Sequence, residues 1–200
     1  MTLRLVAMTL LAVASLPAAD PKTLGLVIRR GAPVPSPVRQ QFELETELAV
    51  QQSLKAENLS LAWRDEGAAR AFESFDRLIV VSFQGDCTTM MPKSPVPGGP
   101  LGWTSTADGR VLPFIKIDCT RVKMVLQESG GWVQPLIPAG VLARAMSRVA
   151  VHEIYHVLTG RKNHDEEGLF KAAYSSTDLL APALLSQRAH TGIAGVSTSH

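Results

Sequence analysis

The sequence predicts an α+β domain: a twisted mixed sheet of about four strands, a backing helix, and a second long helix that carries the chemistry. Three observations predict it. Residues 138–159 repeat apolar side chains at three- and four-residue steps, the period of a helix with a buried face. Residues 77–83 form a continuous run rich in β-branched side chains, which reads as a buried strand. Two further strand-like runs, 101–106 and 111–118, flank Ala107-Asp108-Gly109-Arg110, and Asp-Gly between such runs signals a tight hairpin.

Taken in order, the chain opens with Arg4 and then an apolar run, 5–16, followed by Pro17-Ala18-Ala19. That order is the pattern of a secretory signal peptide, here cut near Ala19. The run is too short to span a bilayer. The expected mature chain is therefore secreted or periplasmic, about 180 residues long, enough for one domain with a core of its own. Residues 20–37 form an extended proline-rich segment, 38–189 the single domain, and 190–200 a flexible Gly/Ser/Thr-rich tail.

Charge narrows the function classes. The formal net charge is +2, so nothing argues for a nucleic-acid partner or an acidic membrane surface. No other stretch is apolar enough for stable membrane insertion, and the oligomeric state is left open. The chain has two cysteines, Cys87 and Cys119. In an exported chain such a pair is expected to form a disulfide, stabilising the fold by roughly 3–4 kcal/mol.

A helix is expected from Ser36 or Pro37 to about Ala56, its pattern carried by Val38, Phe42, Leu44, Leu48, Ala49, Gln52 and Leu54. Residues 24–28 and 59–64 read as strands, and Asp65-Glu66-Gly67 as a turn. Residues 91–100 form an irregular loop. Pro113 cannot donate to a ladder, which favours a sheet edge for 111–118. Residues 120–127 continue as a short helix or a strand, ended by Gly130-Gly131. Ser175 or Ser176 is placed to cap a final short helix with Asp178 in its first turn, and Pro182 limits its length.

The functional signal lies late in the long helix. Pro138 suits its first turn and Gly160 its C-cap. Between them His152, Glu153 and His156 form an H-E-x-x-H motif. Positions i and i+4 share one helix face, so both imidazoles can reach one zinc ion, and Glu153 can reach a water there. Two neutral nitrogens, an open metal position and a carboxylate base are what metal-assisted hydrolysis needs. A third protein ligand is required, and Gly160 and His164 come next in the chain, then Asp165, Glu166 and Glu167.

In these residues the chain resembles the zincin metalloproteases, and within them the metzincins, whose H-E-x-x-H-x-x-G-x-x-H continues through a glycine turn to a third histidine. This chain reads H-E-I-Y-H-V-L-T-G-R-K-N-H-D, one residue longer before the glycine and one longer after it. The resemblance covers residues 138–175. It implies a zincin-like fold, Gly160 as the turn glycine, and His164 as third ligand with Asp165, Glu166 or Glu167 as the alternative. No methionine follows Met146 to supply the metzincin methionine turn; Gly168-Leu169-Phe170 stands where it would be sought. In zincins an edge strand above the cleft pairs with extended substrate, and 111–118 is the expected counterpart. The chain also looks like a group of uncharacterised secreted bacterial proteins with an H-E-x-Y-H…H pattern. The implied function is zinc-dependent peptide hydrolysis on a peptide or protein substrate, with Glu153 as general base. The alternative is a non-catalytic, zinc-stabilised binding or envelope protein outside the cytoplasm.

Overall fold

In a computed structural model the chain folds as a five-stranded mixed sheet with two long helices packed on one face, the α+β architecture expected. The described residues are 22–54, 59–68, 73–94, 98–128 and 135–181. The signal-peptide reading, Gly130-Gly131, Pro182 and the tail lie outside them. Among the described residues no helix is long and apolar enough to cross a membrane.

Strand β1 (Lys22–Ile28) runs into helix α1 (Ser36–Ser53), which returns the chain to β2 (Leu59–Asp65), paired parallel to β1. Parallel neighbours need such a crossover. Strand β3 (Arg77–Gln84) then adds to the other side of β1, again parallel. Between β2 and β3 the chain passes Phe75, whose ring lies against Gly25: a Cβ there would sit 2.6 Å from the ring. Only a residue without a side chain lets the link lie so flat on the sheet.

The hairpin is as read. Strand β4 (Gly102–Ala107) and strand β5 (Arg110–Asp118) pair antiparallel. Their two-residue turn has positive φ at both Asp108 (48°) and Gly109 (76°), the conformation that matches strand twist.

The strand order is β2-β1-β3-β5-β4, which corrects two expectations. The sheet has five strands, not about four. And 111–118 is not the edge: β5 lies between β3 and β4, and β4 is the outer strand. The physical reason is burial. Ile115 and Ile117 of β5 are fully buried, whereas β4 reads Gly-Trp-Thr-Ser-Thr-Ala and suits an exposed margin. Pro113 is tolerated because pairing with β3 begins only at Phe114 and the β4 ladder is irregular between Thr104 and Thr106, opposite the proline.

Alternation decides which face is covered. Leu24, Leu26, Ile28, Ile79, Val81, Phe83, Ile115 and Ile117 point into one core, shared with Val38, Phe42, Ala49 and Val50 of α1 and with Leu142, Met146 and Val149 of α3 (Ala139–Thr159). Helix α1 ends at Ser53, short of the expected Ala56. Residues 120–127, whose sequence suits a short helix or a strand, lie in helix α2 (Cys119–Glu128).

Cys87 and Cys119 are joined by a disulfide that ties the loop after β3 to the first residue of α2. The same loop is held from below by Lys123, which is wholly buried. Its ammonium donates to Asp86 Oδ2 (2.7 Å) and to the carbonyls of Thr88 (3.2 Å) and Met90 (2.7 Å), so all three donors are satisfied. A double Cys87→Ser, Cys119→Ser variant is expected to lose about 3–4 kcal/mol of unfolding free energy in denaturant titrations. A loss below about 1 kcal/mol would show that Lys123 and the core already constrain the loop.

Candidate metal centre

Helix α3 positions the site. Gly160 caps it in the left-handed conformation (φ 67°), its N–H donating to the His156 carbonyl at 2.9 Å. The chain therefore turns sharply one residue after the helix, and 161–164 fold back across its last turn. His152, Glu153 and His156 are all buried, so the helix carries three polar side chains on a face turned into the protein.

The longer spacing does not keep His164 away. Its ring centroid lies 5.1 Å from that of His152 and 5.0 Å from that of His156, and one nitrogen from each of the three rings falls within 4.8 Å of the others. The alternative ligands are not in this group. Asp165 is engaged through its backbone, its N–H donating to the Phe170 carbonyl at 2.9 Å.

The tautomers are set by the groups that the other ring nitrogens face. His156 Nδ1 lies 2.7 Å from the Arg161 carbonyl oxygen. His152 Nδ1 lies 3.1 Å from the Leu169 carbonyl oxygen. A carbonyl oxygen only accepts, so each Nδ1 donates and each Nε2 carries a bare lone pair. Those two Nε2 atoms face each other at 2.9 Å. Two acceptors at that distance repel unless a cation lies between them. Zn–N bonds of about 2.0–2.1 Å at a tetrahedral angle put ligand nitrogens roughly 3.3–3.4 Å apart, so a metal would need the facing His152 and His156 nitrogens, now 2.9 Å apart, to separate only slightly. The neutral imidazoles of the buried His152 and His156 suit zinc, and the carbonyls behind them are the outer partners such ligands require, while His164 comes to the pair from an exposed loop.

Protonation would close the site, and burial opposes it. It pushes His152 down to about 4 and lowers His156 as well. Burial acts in the opposite sense on Glu153, pushing its carboxyl up to about 7, against a lowering hydrogen bond from Thr104. Thr104 Oγ1 donates to Glu153 Oε2 at 2.7 Å.

Thr104 is a site residue that the sequence does not reveal. It stands on β4, 49 positions from Glu153, and nothing local marks it. Gly102 is its accomplice. A Cβ there would lie 2.5 Å from Val149 Cγ1 and 3.0 Å from the Lys116 carbonyl oxygen, so only glycine lets β4 come this close to α3. Tyr174 sits behind His152. Its hydroxyl donates to the Leu169 carbonyl, and its oxygen is 2.8 Å from His152 Nδ1. Gly168–Phe170, the segment standing in place of a methionine turn, forms a 3₁₀ turn that supplies that carbonyl and sets the Phe170 ring 6.4 Å from the His152 ring. Helix α4 (Ser176–Leu180) begins at a capping box directly after Tyr174: Ser175 Oγ accepts from the Asp178 N–H and Asp178 accepts from the Ser175 N–H.

In front of the histidines lies a cleft of about 440 Å³, walled by β4, the last turns of α3, the 161–164 loop and Tyr174. No protein-family profile and no curated protein matches the chain. Among solved structures the chain is similar to an archaemetzincin from Methanopyrus kandleri, at 12% identity over 82% of this chain and 87% of that one, with a TM-score of 0.48.

Proposed function

We propose that the protein is an extracytoplasmic zinc-dependent peptide hydrolase in which His152, His156 and His164 hold the metal and Glu153 is the general base. The observation that carries this reading is the pair of bare Nε2 atoms facing each other at 2.9 Å beside a buried carboxylate in an open cleft. Zinc held by three imidazoles supplies Lewis acidity and lowers the pKa of water towards neutrality. The chain supplies the rest. Glu153 accepts the proton of the attacking water and returns it to the leaving amine. Thr104 holds that carboxylate in place and biases it towards the ionised form. β4 has no strand partner on its outer side among the described residues, so its edge can pair with an extended peptide laid along the cleft. The disulfide and the leader-like N-terminus favour a location outside the cytoplasm.

The first test is the metal content of the purified chain after dialysis, by elemental mass spectrometry, followed by a peptide-library digest. About one zinc per chain and cleavage of some peptides are expected. A folded chain that takes up no zinc would sink the reading outright. Zinc without any cleavage would leave the alternative of a zinc-stabilised binding protein.

Thr104→Val removes the donor that favours ionised Glu153. Its acid limb in a pH profile of kcat/KM is expected to move to higher pH than in the unaltered chain. An unmoved limb would mean that Thr104 does not act on the base.

A further inference from the structure

The rim of the cleft carries charge that the proposed hydrolysis leaves unused. Arg161 and Lys162 both line it, both are exposed, and neither forms an ion pair among the described residues. Among the described residues the one acidic side chain in the lining is Glu153, already committed beside the histidines. Asp165, Glu166 and Glu167 are close in sequence but are not part of the wall. Two cations therefore stand over a cleft whose remaining surface is largely apolar, through Leu101, Trp103, Val111 and Val125.

Their place is held by backbone, not by their own side chains. The Arg161 carbonyl accepts from His156 Nδ1 at 2.7 Å, and the Arg161 N–H donates to Thr159 Oγ1 at 3.3 Å. The loop is thus pinned directly behind one histidine and returns at His164 to the others. Among the described residues neither side chain has an ion-pair partner, so both can meet a ligand in the cleft they line. Cations on a low-dielectric wall focus their field into the cleft, and an arginine fork matches a carboxylate in two parallel hydrogen bonds.

We infer that Arg161 and Lys162 recognise a carboxylate on the bound peptide, either an acidic side chain or a free C-terminus, so that such peptides are favoured over neutral and basic ones. The inference deepens the peptide-hydrolase reading and starts from it. It is tested by binding as well as by turnover. Labelled peptides of one apolar sequence are titrated by fluorescence anisotropy into the full chain carrying Glu153→Gln, with and without one equivalent of zinc. The four peptides are a neutral amide, an amide with one internal Glu, a neutral peptide with a free C-terminus, and an amide with one internal Lys.

One or both carboxylate peptides are expected to bind about tenfold tighter than the neutral amide. That advantage should shrink with salt, vanish on Arg161→Gln with Lys162→Gln, and pass to the lysine peptide on Arg161→Glu with Lys162→Glu. The internal-Glu and free-C-terminus arms identify the source of the carboxylate. Lys162→Gln alone, at an exposed position, should give a partial loss and serves if a double variant folds poorly. Equal affinities for all four peptides overturn the inference. So does an advantage that survives the neutralised wall, including one that appears only with zinc, since the carboxylate is then read by the metal. Cleavage by the unaltered chain is assayed in parallel. A preference in binding with no cleavage removes the hydrolase reading and leaves the carboxylate wall; cleavage with no preference does the reverse.

Discussion

Replacing Glu153 by Gln is expected to lower peptide hydrolysis by roughly 10²–10⁴-fold, the usual contribution of a positioned acid–base group, while about one zinc per chain is retained. The two properties separate because different atoms supply them. Metal would rest on three imidazole nitrogens, none of which is bonded to Glu153, whose hydrogen-bond partner is Thr104. Glutamine keeps the shape and still accepts from Thr104 Oγ1, so the cleft survives. What disappears is the ability to take up a proton. The measurement is kcat/KM on a library-selected peptide, with metal content determined on the same preparation. Activity within tenfold of the unaltered chain would assign the base elsewhere. Loss of zinc together with activity would mean that Glu153 supports the metal and would leave its catalytic role without evidence.

The same substitution should stabilise the metal-free chain, and increasingly so as pH rises. Burial raises the Glu153 carboxyl from its ordinary 4.5 to about 7. A folded-state pKa raised above the unfolded one contributes stability below the unfolded value and loses it as pH climbs through the folded value. Between about pH 4.5 and 7 the unfolded chain gives up this proton while the folded chain keeps it. Above pH 7 the ionised carboxylate is carried at a cost of about 3 kcal/mol, since one unit is worth 1.36 kcal/mol. Glutamine bears no such cost. Metal-free Glu153→Gln is therefore expected to exceed the unaltered metal-free chain by about 3 kcal/mol at pH 8, and to match it near pH 4.5. His152 works in the opposite direction. Its folded pKa is depressed from 6.5 to about 4, so its contribution is intact above 6.5 and is lost as pH falls towards 4. His156, also lowered by burial, adds to that acid-side loss, which in Glu153→Gln is no longer opposed by the Glu153 term. Urea titrations from pH 4.5 to 8.5 measure both. A stability difference independent of pH would mean that Glu153 is better solvated than its surroundings imply.

Such a cost has a functional meaning. A chain that buries an ionisable carboxylate between a strand and a helix, beside two bare imidazole nitrogens, is less stable than one with apolar side chains there. Groups of this kind gather where a ligand resolves the conflict. Here a dication would resolve both halves at once, separating the two lone pairs and favouring the carboxylate anion.

How much of this was legible in the sequence differs from residue to residue. Helix α3, its Pro138 start and its Gly160 stop are written in adjacent residues, because helical period and capping act over one or two turns. The Asp108-Gly109 hairpin and the Ser175–Asp178 capping box are equally local. His152, Glu153 and His156 share one helix, so their convergence needed only the helical period. His164 was legible as a candidate but not as a neighbour. Its distance from the helix depends on a left-handed turn at Gly160 and on the carbonyl of Arg161 meeting His156, and counting residues cannot report either.

Strand order was the main misreading. Proline in 111–118 points to an edge, yet that strand lies inside the sheet, because its isoleucines must be covered and an irregular ladder beside Pro113 tolerates the missing N–H. Once β4 rather than β5 is the margin, Gly102 and Thr104 fall beside Glu153, and the cleft acquires its second wall. Pairing of this kind joins residues far apart in the chain and leaves no periodic trace in either one. The sequence by itself determined the long helix, the paired histidines with their carboxylate, and the elements of an α+β sheet, since each of these is decided by short-range sterics and a hydrophobic period. Only the tertiary structure decided which strand borders the cleft, which threonine holds the carboxylate, how the third histidine arrives and which cations line the rim. Those depend on burial and backbone pairing across tens of residues, where the free energy belongs to the packed whole and to no local stretch.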